Sequence, residues 1–114
     1  MKSTTTVKNN YEFRRIYAKG QSGVSGCLVV YCRPNRRGHN RLGVTVSAKL
    51  GHAVVRNRVR RRIREIFRTH TGELAQGYDL IVVARSRAVE TPYRDMERAF
   101  LSCCQKLALR EDRA

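Results

Sequence analysis

Val55, Val59, Ile63, Ile66 and Phe67 recur at three- and four-residue steps, the spacing of one face of an α-helix. The positions between them are mostly arginine: Arg56, Arg58, Arg60, Arg61, Arg62, Arg64 and Arg68, against one acid, Glu65. At about 100° per residue, Asn57, Arg61, Arg64 and Arg68 fall within roughly 60° of one another on the side opposite the apolar stripe. Gly51 marks a turn before this helix, and Lys49 stands at its edge. Upstream, Cys27 to Cys32 reads as a β-strand, with Cys27, Val29 and Tyr31 on one face and Leu28, Val30 and Cys32 on the other. One set faces a core, and the other faces a helix or a ligand. Arg41 to Ser47 is the returning strand of a hairpin closed by a mobile basic loop, Pro34 to Asn40. Within that strand Gly43 leaves a flat spot where backbone or a nucleotide can approach.

Four further segments complete the pattern. Asn9 or Asn10 can cap a helix that runs to about Lys19, with Gly20 as its stop. Gly20 to Gly26 is a turn-rich link with room for a very short strand, and Thr69 to Gly77 is a connector with one helical turn at Glu73 to Ala75. Tyr78 to Ala84, the most hydrophobic run, reads as a central strand. Thr91-Pro92 starts a last helix with Asp95 and Glu97 near its positive end. Its stripe of Phe100, Leu101, Cys104, Leu107 and Ala108 ends near Arg110. The order αββαβα predicts an α/β (α+β) two-layer sandwich, helices against one small mixed sheet. Residues 1–8 read as a disordered basic N-terminus and residues 9–114 as a single RNA-binding domain.

Charge sharpens this picture. In 114 residues, 24 Lys and Arg oppose 9 Asp and Glu, a formal net charge of +15 and a sequence pI near 10.9. Most charge runs on helices are merely solvated faces, but here too few acids stand nearby for i,i+4 pairing to relieve the repulsion. Such a helix points to a polyanionic partner, nucleic acid above all. Nothing suggests the dimer or half-site spacing of a major-groove DNA reader. Binding to a membrane surface would need the apolar stripe that the core requires. No apolar run approaches the roughly 20 residues of a membrane span, and the first 20 residues hold no secretory core, so a cytoplasmic location is expected.

The chemistry-bearing residues point away from a protein active site. Cys27, Cys32, Cys103 and Cys104 form no C-x-x-C pair, and His39, His52 and His70 have no metal-ligand spacing, so no metal site is expected. The carboxylates are scattered among basic residues without the clustering that metal-dependent phosphodiester cleavage needs. On the first helix Phe13, Ile16 and Tyr17 share a side, surrounded by Arg14, Arg15 and Lys19. Ile16 reads as core. Phe13 and Tyr17 fit either a core or a platform on which unpaired bases stack, worth about 1–3 kcal/mol per base.

The segment Lys49-Leu50-Gly51-His52-Ala53-Val54-Val55-Arg56-Asn57-Arg58, continued through Arg61 and Arg64, resembles the signature of the protein subunit of bacterial ribonuclease P. The family commonly has Asn where this chain has His52, and a second Lys where it has Ala48. The resemblance runs from about Tyr11 to Ala108. It implies the fold of the second domain of ribosomal protein S5, with a left-handed strand–helix–strand crossover from Leu42 to Ala84, where periodicity alone would give the common right-handed one. It also implies an RNA catalyst that removes the 5′ leader of precursor tRNA with Mg²⁺ held mainly by the RNA. The protein's part would be to bind the catalytic RNA and the precursor tRNA. Carried onto this chain, Lys49, Arg56, Asn57, Arg58, Arg61, Arg64 and Arg68 would meet the catalytic RNA and phosphates, with Asn57 orienting a loop or water. Arginine's planar fork suits phosphate oxygens. Phe13, Tyr17, Val29 and Tyr31 would form a leader cleft, with Arg14 or Lys19 steering the strand. The alternative is a non-catalytic ribosome-associated or general RNA-binding protein on the same fold.

Overall fold

The computed structural model describes residues 5–6 and 10–109. Its elements are β1 (Thr5–Thr6), α1 (Asn10–Lys19), β2 (Gln21–Val24), β3 (Leu28–Pro34), β4 (Arg41–Thr45), α2 (Ala53–His70), β5 (Tyr78–Ala84) and α3 (Tyr93–Lys106). Apart from the pair Thr5–Thr6, the N-terminal stretch read as disordered lies outside the described residues, as does the expected helix end at Arg110. The strands form one mixed sheet in the order β1-β4-β5-β3-β2. β4 runs parallel to β1 and β5, while β3 runs antiparallel to β5 and β2. β5 at the centre and its neighbour β3 are the strands whose β-branched and aromatic content announced them.

Period two then sorts the side chains. Leu28, Val30 and Cys32 of β3, Leu42 of β4, and Leu80, Val82 and Ala84 of β5 enter the main core. Covering them are Val59, Ile63, Ile66 and Phe67 of α2, and Met96, Phe100, Cys103 and Cys104 of α3. The other face carries a smaller cluster, Ile16 of α1 on Ile81, flanked by half-buried Phe13, Tyr31 and Val83. Cys27 departs from its expected face. It precedes the strand rather than belonging to it, so the alternation does not hold there and its thiol joins the main core.

Several boundaries differ from expectation for local reasons. β4 stops at Thr45, because Ser47 leaves the sheet and its Oγ accepts the Lys49 N–H at 3.1 Å, opening one tight helical turn at Ala48–Leu50. The connector turn forms at Thr71–Glu73, two residues early. α3 ends at Lys106, short of the predicted stripe. The Leu109 N–H bonds the Cys104 carbonyl at 2.9 Å and the Ala108 N–H bonds that of Gln105 at 3.0 Å. This closing motif puts Ala108 at φ 62°, a left-handed conformation usually given to glycine.

α2 is tied to α3 through His70, which sits between Glu97 (Nε2 to Oε2, 2.6 Å) and Glu73 (Nδ1 to Oε2, 3.3 Å). Burial works against the imidazolium, but the two carboxylates outweigh it and raise its pKa above the ordinary 6.5. A raised folded-state pKa contributes stability that is fully present below the unfolded value and lost as pH rises through the folded one. Urea melts across that window should therefore show stability falling with pH in the wild type. In His70→Ala that slope should flatten; an unchanged slope would remove His70 from the account.

Candidate nucleic-acid interface

The arginine helix is aimed by the turn before it. Gly51 has φ 144°, and a Cβ there would stand 3.3 Å from Val55, so the tight approach suits glycine alone. Arg56, half-buried, donates from Nε to the Gly51 carbonyl at 3.1 Å and clamps the turn onto the helix. His52 takes the N-cap position without a side-chain hydrogen bond, and the first turn holds no acid, so side chains leave the helix's positive end unneutralised.

With Val59, Ile63, Ile66 and Phe67 buried, the opposite side presents Asn57, Arg61 and Arg64 together. Arg60 and exposed Val54 complete a shallow groove of about 440 Å³. Asn57 Oδ1 accepts from Arg60 Nη1 at 2.9 Å, which leaves the Asn57 amide N–H groups to face outward. Lys49 and Arg58 are exposed beside the row. Two arginines act otherwise. Arg62 Nη1 reaches the Thr91 carbonyl at 3.3 Å, joining α2 to the start of α3. Arg68 lies on the row's side but gives Nε and Nη2 to the two oxygens of Glu65, at 3.1 and 2.5 Å. Its charge is shared within the helix, so the free row ends at Arg64.

On the other face of the sheet, α1 builds an aromatic hollow. Tyr17 meets Tyr31 edge-on with ring centroids 4.9 Å apart, and Phe13 stands 6.3 Å from Tyr17 in a tilted pair. Tyr17 Oη is 3.1 Å from Thr45 Oγ1, which fixes the ring over the end of β4. Phe13, Arg14, Tyr17 and Thr45 line a hollow of about 390 Å³. Phe13 is half-buried on the small cluster and Tyr17, 39% exposed, rests on Tyr31, so each ring keeps an edge open to a ligand. Val29 shares this sheet face by register but does not line the hollow. Lys19 closes α1. Thr45 was missed by sequence reasoning; period two along β4 was the available signal, since it puts Arg41, Gly43 and Thr45 on one side.

A second hollow, of about 560 Å³, opens at the hairpin end of the same face and went unread in the sequence. Arg41 and Asp79 are directly opposite in the β4–β5 register. Arg41 grips the carboxylate with Nε and Nη2 at 2.8 and 2.7 Å, and Asn35 Nδ2 adds a third bond at 2.8 Å. Burial works against the Asp79 charge, but these bonds outweigh it and hold its pKa below the usual carboxylate range. Arg15, Arg33, Arg36 and Arg37 surround the pair.

Among the described residues no three His, Cys, Asp or Glu side chains gather as a metal cage, and the acids near one another are engaged by Arg41, Arg68 and His70. The donors of the described residues thus do not fit a Mg²⁺ site. The four cysteines are buried and unbridged, and burial pushes the Cys32 and Cys103 thiols up, which makes them poor nucleophiles. No helix among the described residues is long and apolar enough to cross a membrane.

The model of the ribonuclease P family matches residues 1–108. This chain belongs to that family. It is 40% identical over 109 residues to the ribonuclease P protein component of Natranaerobius thermophilus, covering 96% of this chain and 95% of the relative. The fold agrees with the ribonuclease P protein of Staphylococcus aureus at a TM-score of 0.82 and 38% identity, over 92% of this chain and 95% of the other. For that of Thermotoga maritima the TM-score is 0.81 at 29% identity, over 94% and 98%. As a ribonuclease P protein component, the chain is a subunit of a tRNA-processing endoribonuclease that works as a ribonucleoprotein. Membership implies a ribonuclease P RNA as its partner and tRNA as the substrate.

Proposed function

We propose that the chain holds the catalytic RNA on the α2 arginine row and the single-stranded 5′ leader of precursor tRNA in the aromatic hollow, so that the RNA can cut between them. The observation that carries this reading is that the end of β4 and the turn after it lead directly from one site to the other. Thr45, the last residue of β4, lines the hollow, and four residues on Lys49 stands in the turn Ala48–Leu50 before the α2 row. The row offers forked cations without competing carboxylates, which suits a folded RNA's phosphates. The hollow offers partly open aromatic rings, which suit unpaired bases of any sequence. Lys49, Arg58, Arg61 and Arg64 carry the charge, Arg56 and Asn57 hold the turn and the neighbouring Arg60 in place, and Arg68 contributes less. Phe13, Tyr17 and Tyr31 supply the rings, and Arg14 steers the strand.

Under this reading the RNA subunit performs the cleavage and holds the Mg²⁺ ions, and the protein's contribution is affinity and positioning. Rigorously RNA-free protein should leave precursor tRNA intact. Reconstituted with the catalytic RNA, it should lower the Mg²⁺ concentration at which cleavage is half-maximal. Site-specific cleavage by the protein alone, or an unchanged Mg²⁺ requirement, would contradict the assignment.

A further inference from the structure

We infer that the arginine-lined hollow at the hairpin end of the sheet is a second phosphate-binding site, one that takes the backbone of the leader after it has crossed the aromatic hollow. The inference rests on the leader reading above and extends it to residues that reading does not use. Among the described residues Arg33, Arg36 and Arg37 line this hollow beside the Arg41–Asp79 pair, and that carboxylate is already held by Arg41 and Asn35. Arg33, Arg36 and Arg37 have no carboxylate within ion-pair distance among the described residues, and Arg36 and Arg37 are exposed on the hairpin loop. Cations gathered in a concavity without counter-charge raise the local concentration of anions.

Geometry chooses the anion. Arg33 lies two residues beyond Tyr31 on β3, and Arg41 four residues before Thr45 on β4, all on the sheet face that α1 partly covers. At about 3.3 Å per residue the two hollows are roughly 7–13 Å apart. Lys49 stands in the turn after β4, Thr45 at the end of β4 and Arg41 at its start, so a strand leaving the α2 row across the rings continues toward the arginines. α2 packs on the opposite face, which separates this hollow from the row assigned to the folded RNA. A volume of about 560 Å³ is large enough for a nucleotide or two of single strand.

The test uses the reconstituted holoenzyme and precursor tRNAs whose leaders lengthen one nucleotide at a time. Wild type should gain affinity until the leader spans both hollows. Arg33→Ala combined with Arg37→Ala should match wild type on the shortest leaders and on mature tRNA, then fall roughly tenfold behind on long ones. Its salt dependence on long leaders should flatten by about 0.7 for each lost contact. Arg36→Ala with Arg37→Ala, both on the exposed loop, gives the same readout should the first pair disturb folding. Wild-type behaviour at every length, or an equal loss on mature tRNA, would overturn the inference. Failure of the underlying leader reading is separable, because it would appear as equal losses on precursor and mature tRNA in Phe13→Ala.

Discussion

Replacing Arg61 and Arg64 together by alanine should weaken binding of the catalytic RNA about a hundredfold. Each loses one charge-assisted contact worth about 1.5–3 kcal/mol, and because the two are i,i+3 neighbours their losses add incompletely, which keeps the total near the sum of the two lower values. The slope of log affinity against log salt should shrink by about 1.5, since fewer counterions are displaced. Folding should be nearly untouched, within about 0.5 kcal/mol, because both side chains are exposed and point away from Val59, Ile63 and Ile66. Arg68→Ala is the internal comparison. Its guanidinium already serves Glu65, so its loss should cost several-fold less. Filter binding at several salt concentrations reads all three variants. Equal losses for Arg64 and Arg68 would mean that the row extends to the end of the helix.

Asp79→Ala should destabilise the fold by about 3 kcal/mol, acting from the side of the sheet that α1 partly covers. Removing one partner of a buried ion pair leaves the other as an uncompensated charge, and Arg41 is 7% exposed. The lower end of the usual range applies because both groups border an open hollow. The pair also sets an acid limit. Asp79 has a lowered folded-state pKa, so its contribution is present above the unfolded carboxylate value and lost as pH falls through the folded one. Thermal melts should show wild type losing stability on acidification and Asp79→Ala losing less. Equal acid sensitivity would place the pair's role elsewhere.

How far the sequence reached depends on how local each signal was. β5 could be read to the residue because five consecutive apolar positions, Leu80 to Ala84, follow Tyr78 and Asp79 in a run too short and too branched for a helix. α2 was legible as a helix and as a charged face, since both follow from angular spacing within one element. β2 was seen only as room for a short strand, because Gln21-Ser22-Gly23-Val24 has no alternation of its own and is a strand through its pairing with β3. The Arg41–Asp79 pair, 38 residues apart, needed the β4–β5 register before it could be seen. The same holds for the Tyr17–Thr45 contact, which crosses from a helix to a strand. The early end of the free arginine row was in principle local: Glu65 and Arg68 are three apart on one helix, and such pairs meet.

The leader assignment stands or falls on Phe13 and Tyr17. If they serve only the small cluster beneath α1, truncation costs stability and affects all ligands alike. If their open edges stack on bases, the cost falls on the leader. The decisive measurement is the affinity of holoenzymes carrying wild type, Phe13→Ala or Tyr17→Ala for precursor and for mature tRNA, at fixed salt and Mg²⁺. Stacking worth about 1–3 kcal/mol predicts roughly five- to hundredfold weaker precursor binding with mature tRNA unchanged. Equal losses for both tRNAs, or a fall in stability near the 3–5 kcal/mol of a fully buried aromatic, would contradict it.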